Sequence, residues 1–131
     1  MKSVDQVRHW KLLEDMPDTS GNMERGELLE ELIVEGGARI ERIVSTGQKS
    51  PEGFWYDQPQ GEWVALIQGS ASLRFEQESS VRELVVGDAF WIPAHCRHRI
   101  ESTSCDPPTV WIAVFVPEER QQEAVRGERQ A

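Results

Sequence analysis

Two stretches of this 131-residue chain concentrate the side chains capable of chemistry. The first runs from Trp55, Tyr56 and Asp57 to Glu62 and ends at Gly69. The second opens at Gly87-Asp88, passes Pro93 and closes on His95-Cys96-Arg97-His98. Imidazoles and carboxylates are the groups that move protons near neutral pH or hold divalent metals. His95 and His98 stand three apart, a spacing that alone discriminates little. Cys96 beside His95 would be a nucleophile only with a base and an orienting third group. No such arrangement is legible from spacing, so Cys96 reads as a small, partly buried thiol. Trp55 and Tyr56 read as pocket walls, because ligand pockets are mostly apolar with a few placed polar groups.

The elements that must position these groups are short strands. Glu62 to Gln68 is an apolar strand stopped by Gly69. Ser72 to Gln77 alternates, with Leu73 and Phe75 on one face and Arg74 and Glu76 on the other. Val81 to Val86, Ala89 to Ile92, His98 to Ser102 and Thr109 to Val116 follow, separated by Gly, Pro and Ser turns. Upstream, Ala38 to Ser45 alternates as a strand, with Arg39, Glu41, Ile43 and Ser45 on one side. The segment from Glu27 to Val34 has two readings. Leu28, Leu29, Leu32 and Ile33 fit helical spacing, while the Glu35-Gly36-Gly37 turn fits a strand that pairs with Ala38 to Ser45. Residues 1–26 read as an irregular arm with one helical turn near Val7 to Leu13, residues 27–117 as the barrel, and 118–131 as a polar tail, frayed or disordered. Many short strands without βαβ alternation predict an antiparallel sandwich or barrel.

Composition narrows the partners. With 23 acidic against 14 basic residues, the net charge of −9 disfavours nucleic acid. No apolar run approaches the about 20 residues that span a bilayer. The first ten residues carry no apolar signal core, so a cytoplasmic location with free Cys96 and Cys105 is expected. Trp63 to Ile67 and Val110 to Val116 are apolar on both faces. An apolar outer face must be covered, which favours a homodimer, the alternative being cover by the N-terminal arm.

The two stretches resemble the two motifs of the cupin superfamily, small jelly-roll β-barrels. The family's first motif is Gly, five residues, His-x-His, three or four residues, Glu, six residues, Gly; Glu62 and Gly69 match its end. The second is Gly, five residues, Pro-x-Gly, two residues, His, three residues, Asn; Gly87, Pro93 and His98 match in register. The resemblance covers about Ala38 to Val116 and implies an all-β, cupin-type jelly-roll barrel. The chain also departs from the pattern. The His-x-His pair is replaced by Trp55 and Asp57, counted back from Glu62. His95 takes the place of the second motif's Gly and Ser102 that of its Asn.

In metal-binding cupins, imidazoles and a carboxylate from facing strands hold a divalent ion inside the barrel. The resemblance therefore implies one divalent metal (Zn, Fe, Mn or Ni), with Glu62 and His98 as ligands and Asp57 or His95 completing the shell. It also implies a small polar metabolite as ligand, in a dioxygenase, isomerase or lyase. The plainer readings are that His98 is a core histidine bonded to Glu62, that His95 is exposed and that Asp57 is a turn residue. They lead to a non-catalytic ligand-binding or sensory cupin without metal. A third reading is an interaction protein that uses its tryptophan-rich outer face.

Overall fold

The computed structural model describes residues 3–14 and 27–117. The segment from Glu27 is a strand: β1 (Leu28–Glu35) pairs antiparallel with β2 (Ala38–Ser45). The turn between them puts Gly36 and Gly37 at φ 60° and 82°, the left-handed pair that a two-residue hairpin demands. The helical spacing of its leucines comes from a bulge. The register slips between Glu31 and Ile33, so Leu32 is an extra residue in the strand and is buried.

The remaining strands are β3 (Gly61–Gln68), β4 (Ala71–Phe75), β5 (Arg82–Leu84), β6 (Ala89–Ile92), β7 (His98–Thr103) and β8 (Thr109–Val116). One sheet has the order β1-β2-β8-β3-β6, and the other has the order β5-β4-β7. All pairings are antiparallel. The core lies between the sheets, with Val64, Leu66, Leu73, Ile92, Trp111 and Phe115 buried in one cluster. Each such side chain contributes about 1.5–3 kcal/mol when removed from water.

The free edge of β7 is covered by residues 48–56 rather than by a strand. Ser50 exchanges backbone and side-chain bonds with Ile100 (2.9 and 3.0 Å), and Tyr56 N–H donates to the His98 carbonyl at 2.7 Å. Arg99 turns back onto this segment. Its guanidinium donates to the carbonyls of Ser50, Pro51 and Phe54 at 3.0–3.2 Å. Within the loop the Pro51 carbonyl accepts from Phe54 N–H at 3.0 Å, and Arg99 adds a second bond there and serves the Ser50 and Phe54 carbonyls.

The outer face of the five-stranded sheet carries an apolar row. Directly opposed residues of adjacent strands share a face, so Ile33, Ile40, Val114, Trp63 and Trp91 line up across all five strands. Trp63 is 44% and Trp91 52% exposed. One row away Arg42 is only 3% exposed, bonded to Glu30 and to the carbonyl of Leu12 in the N-terminal arm. The described part of the arm therefore meets the sheet at Arg42, while the two indoles stay exposed. Its helical turn lies at Val4–Gln6 rather than near Val7 to Leu13. A Ser3–Gln6 capping box fixes it there. No helix among the described residues is long and apolar enough to cross a membrane.

Candidate functional site

Between the sheets lies a cavity of about 190 Å³. Its apolar wall includes Ile43, Val64, Leu73, Ile100, Trp111 and Phe115. Its polar groups are Glu27, Arg39, Glu41, Tyr56, Gln58, Glu62 and His98.

Glu62 and His98 face one another at one end. Glu62 is the second residue of β3, opposite Ile92 and Phe115, and is 7% exposed. His98 opens β7 and is 6% exposed. The Nδ1 of His98 lies 2.8 Å from the Cys96 carbonyl. A carbonyl only accepts, so Nδ1 carries a proton and Nε2 is the ring nitrogen left facing the cavity. That Nε2 stands 3.9 Å from Glu62 Oε1, too far for a direct hydrogen bond. Gln58 Nε2 donates to the same oxygen at 3.0 Å. Burial pushes the Glu62 carboxyl above its ordinary value, against the opposing effects of the Gln58 bond and the His98 charge. Tyr56 stacks on the imidazole, with centroids 5.4 Å apart and planes at 25°.

A second carboxylate enters from elsewhere. Glu27 accepts from Ser45 Oγ at 2.8 Å and from Tyr56 Oη at 3.3 Å. Trp111 Nε1 donates to Ser45 Oγ at 3.3 Å. Burial raises Glu27 as well, and both it and the Glu27 charge push the Tyr56 phenol far above its ordinary range. The cavity's arginine is engaged: Arg39 Nε donates to Glu41 Oε2 at 2.6 Å, and the guanidinium lies 4.3 Å above the Phe115 ring.

The four residues expected to hold a metal separate into two pairs. Glu62 and His98 meet in the cavity. Asp57 and His95 meet at the exposed rim, with His95 Nδ1 2.8 Å from Asp57 Oδ1, and neither lines the cavity. His95 has a left-handed φ of 63° where the family pattern has glycine. Its N–H donates to the Gln58 carbonyl at 2.7 Å, which ties the rim to the loop carrying Tyr56 and Gln58. Of the two expected pocket walls, Tyr56 lines the cavity. Trp55 lies outside it, with Arg99 5.8 Å from its ring centre. Arg97 points outward to Glu76 and Asp57. Cys96 is a half-buried free thiol.

Protein metal sites of this kind use three or four side-chain ligands. Among the described residues no group of three or more His, Cys, Asp or Glu is placed to share an ion. The donor set facing the cavity therefore does not fit a resident metal.

Several cavity residues escaped sequence reasoning. Arg39 and Glu41 had a signal, since alternation put them on the Ile43 side of β2, the side that turns inward. Glu27 had none: it precedes an ambiguous segment and lies outside both motifs. Gln58 is visible only once the loop folds back over Glu62.

An antiparallel two-sheet barrel with polar groups gathered at an interior cavity is a jelly roll. Comparison with solved structures gives the family. The chain shares 42% identity with a candidate mannose-6-phosphate isomerase from Ralstonia eutropha JMP134, over 85% of this chain and 99% of that one, with a TM-score of 0.77. An RmlC-like cupin with a double-stranded β-helix fold from Methanocaldococcus jannaschii matches at 15% identity, over 93% and 99% of the two chains, with a TM-score of 0.63. The FeII form of HppE matches at 12% identity, over 69% of this chain and 50% of that one, with a TM-score of 0.57. No family model and no curated protein matches the chain. The chain belongs to the cupin superfamily.

Proposed function

We propose that this cupin binds a small polar metabolite inside the barrel without a resident metal, and that Glu62 and His98 act on it as an acid–base pair. The observation that carries this reading is the 3.9 Å gap between His98 Nε2 and Glu62 Oε1, buried at the end of the cavity. A gap of that size accepts one hydroxyl, amine or water between the two groups. A raised carboxyl beside an imidazole is a donor–acceptor couple suited to proton transfer in an isomerisation or lyase step. Phosphate is a poor fit. Three glutamates line the cavity, and its one arginine is already held by Glu41. The sugar phosphate named for the Ralstonia relative would meet carboxylates.

The test is metal content together with ligand response. Untagged protein, purified without chelator, is exposed to iron, manganese, nickel and zinc and then dialysed. The expected result is far less than one metal per chain, with a small polar ligand still raising the melting temperature of the metal-free protein. Stoichiometric metal that both Glu62→Gln and His98→Ala abolish would overturn the metal-free reading.

We also propose that the chain forms a homodimer through the apolar row of the outer sheet. The bare Trp63 and Trp91 support it, because the described part of the arm covers only the neighbouring Arg42 row.

A further inference from the structure

Of the cavity's three glutamates Glu41 is paired with Arg39, and the other two, buried Glu62 and half-buried Glu27, enter from different places in the fold. Glu62 lies opposite Phe115 near the end of β8. Glu27 is bonded to Ser45, which lies opposite Thr109 at the start of β8. Both side chains nevertheless line the same cavity, and the charge of Glu27 acts on Glu62 as well as on Tyr56, so the cavity presents two separate carboxylates within electrostatic reach of each other. Between them the wall is apolar and aromatic: Ile43, Val64, Leu73, Ile100 and Trp111. Tyr56 spans the middle, bonded to Glu27 through its hydroxyl and stacked on His98 through its ring.

Neither carboxylate has an arginine or lysine partner among the described residues. Glu27 is held by two hydroxyls, and Glu62 by an amide, with the His98 imidazole 3.9 Å beyond it. Carboxylates so buried are costly unless a cation meets them. The indole of Trp111 in the cavity wall further favours a cation over an anion.

We propose that the cavity takes a two-ended cationic ligand, a linear α,ω-diamine, with one ammonium at Glu62 and the other at Glu27. The methylene chain lies along the apolar wall between them. Glu27 is a ligand-binding residue that sets both charge selectivity and ligand length. This proposal rests on the reading of the cavity as the ligand site.

The experiment is calorimetric titration of the full chain with diamines of three to six carbons, beside butylamine and 1,4-butanediol. One diamine of the series binds at least tenfold more tightly than butylamine or the diol. Glu27→Gln keeps an acceptor for one of the two hydroxyls and offers an amide donor to the other. It removes that tenfold advantage, so that the best diamine and butylamine bind alike. Glu27→Asp withdraws the carboxylate by one methylene and moves the optimum to a longer diamine, a readout that survives if the glutamine variant fails to fold. Equal affinity for diol and diamine, with both lost in Glu62→Gln, overturns the cationic proposal while leaving the barrel as a ligand site. A diamine preference untouched by either Glu27 variant overturns the role of Glu27. Absence of binding by every member of the series overturns the proposal. The metal-free reading is then judged separately, by metal content and by neutral ligands.

Discussion

At the scale of single residues, the environment of Glu62 makes a stability prediction with a definite sign. Burial raises its folded-state pKa above the unfolded value. The folded state then binds the proton more tightly, and stability falls as pH rises from about 4.5 through the folded value. Below both values the group is protonated in either state and the effect is absent. Glu62→Gln keeps an acceptor for Gln58 and removes the charge. The variant should melt a few degrees higher than wild type at pH 7 and equally at pH 3.5, by thermal scans at the two pH values. A gain that persists undiminished in acid would show that the cause is packing rather than ionisation. That His98 and Glu62 face one cavity was legible in the sequence, because family spacing sets their places on β3 and β7. The pairing of Asp57 with His95 was not. Spacing placed them in reach of the site, but a short side-chain bond on the rim turns them toward each other.

At the scale of elements, glycines and a clamp decide where the strands go. The glycine closing the first stretch, Gly69, has φ 83°, and a Cβ there would stand 2.4 Å from Ser104 Oγ and 2.9 Å from Thr109 Cα. Gly69→Ala therefore meets left-handed strain and backbone together, and should cost at least about 2 kcal/mol in denaturant unfolding. Loss of Arg99 acts on the neighbouring edge. Arg99→Met removes its bonds to three carbonyls of residues 50–54 and should expose that loop to limited proteolysis at unchanged far-UV circular dichroism. All strands from β2 to β8 were readable from alternation and turn residues, because antiparallel pairing rewards local patterning. β1 was not decided, since the bulge at Leu32 erased its period of two. The Arg99 clamp was unreadable as well. An arginine on the outward side of a strand looks like a solvated charge until the loop it holds is seen.

At the scale of the whole molecule, the apolar row across the outer sheet distinguishes the two ways of covering it. The arm bonds Arg42 through the Leu12 carbonyl and occupies one margin. Trp63 and Trp91 stand side by side as a cross-strand pair on the other. A homodimer through this face should sediment as one species in wild type. The double variant Trp63→Glu/Trp91→Glu should sediment as a folded monomer. A wild-type monomer at tens of micromolar would assign the indoles to some other partner. The double apolarity of β3 and β8, from which an outer contact was expected, reflects this geometry. Both strands are central in the five-stranded sheet, with the core on one side and the row on the other.

The chain contains one tyrosine, and it is Tyr56. Its hydroxyl touches Glu27 and its ring lies on His98, so it reports on both groups at once. Protein grown with tyrosine labelled at the ring carbon bearing the oxygen will give a single carbon-13 resonance that needs no assignment. Five indoles confound fluorescence in this molecule. The lone phenol is a spectroscopic probe already installed at the site, able to show occupancy, ligand charge and the ionisation of its neighbours in one titration.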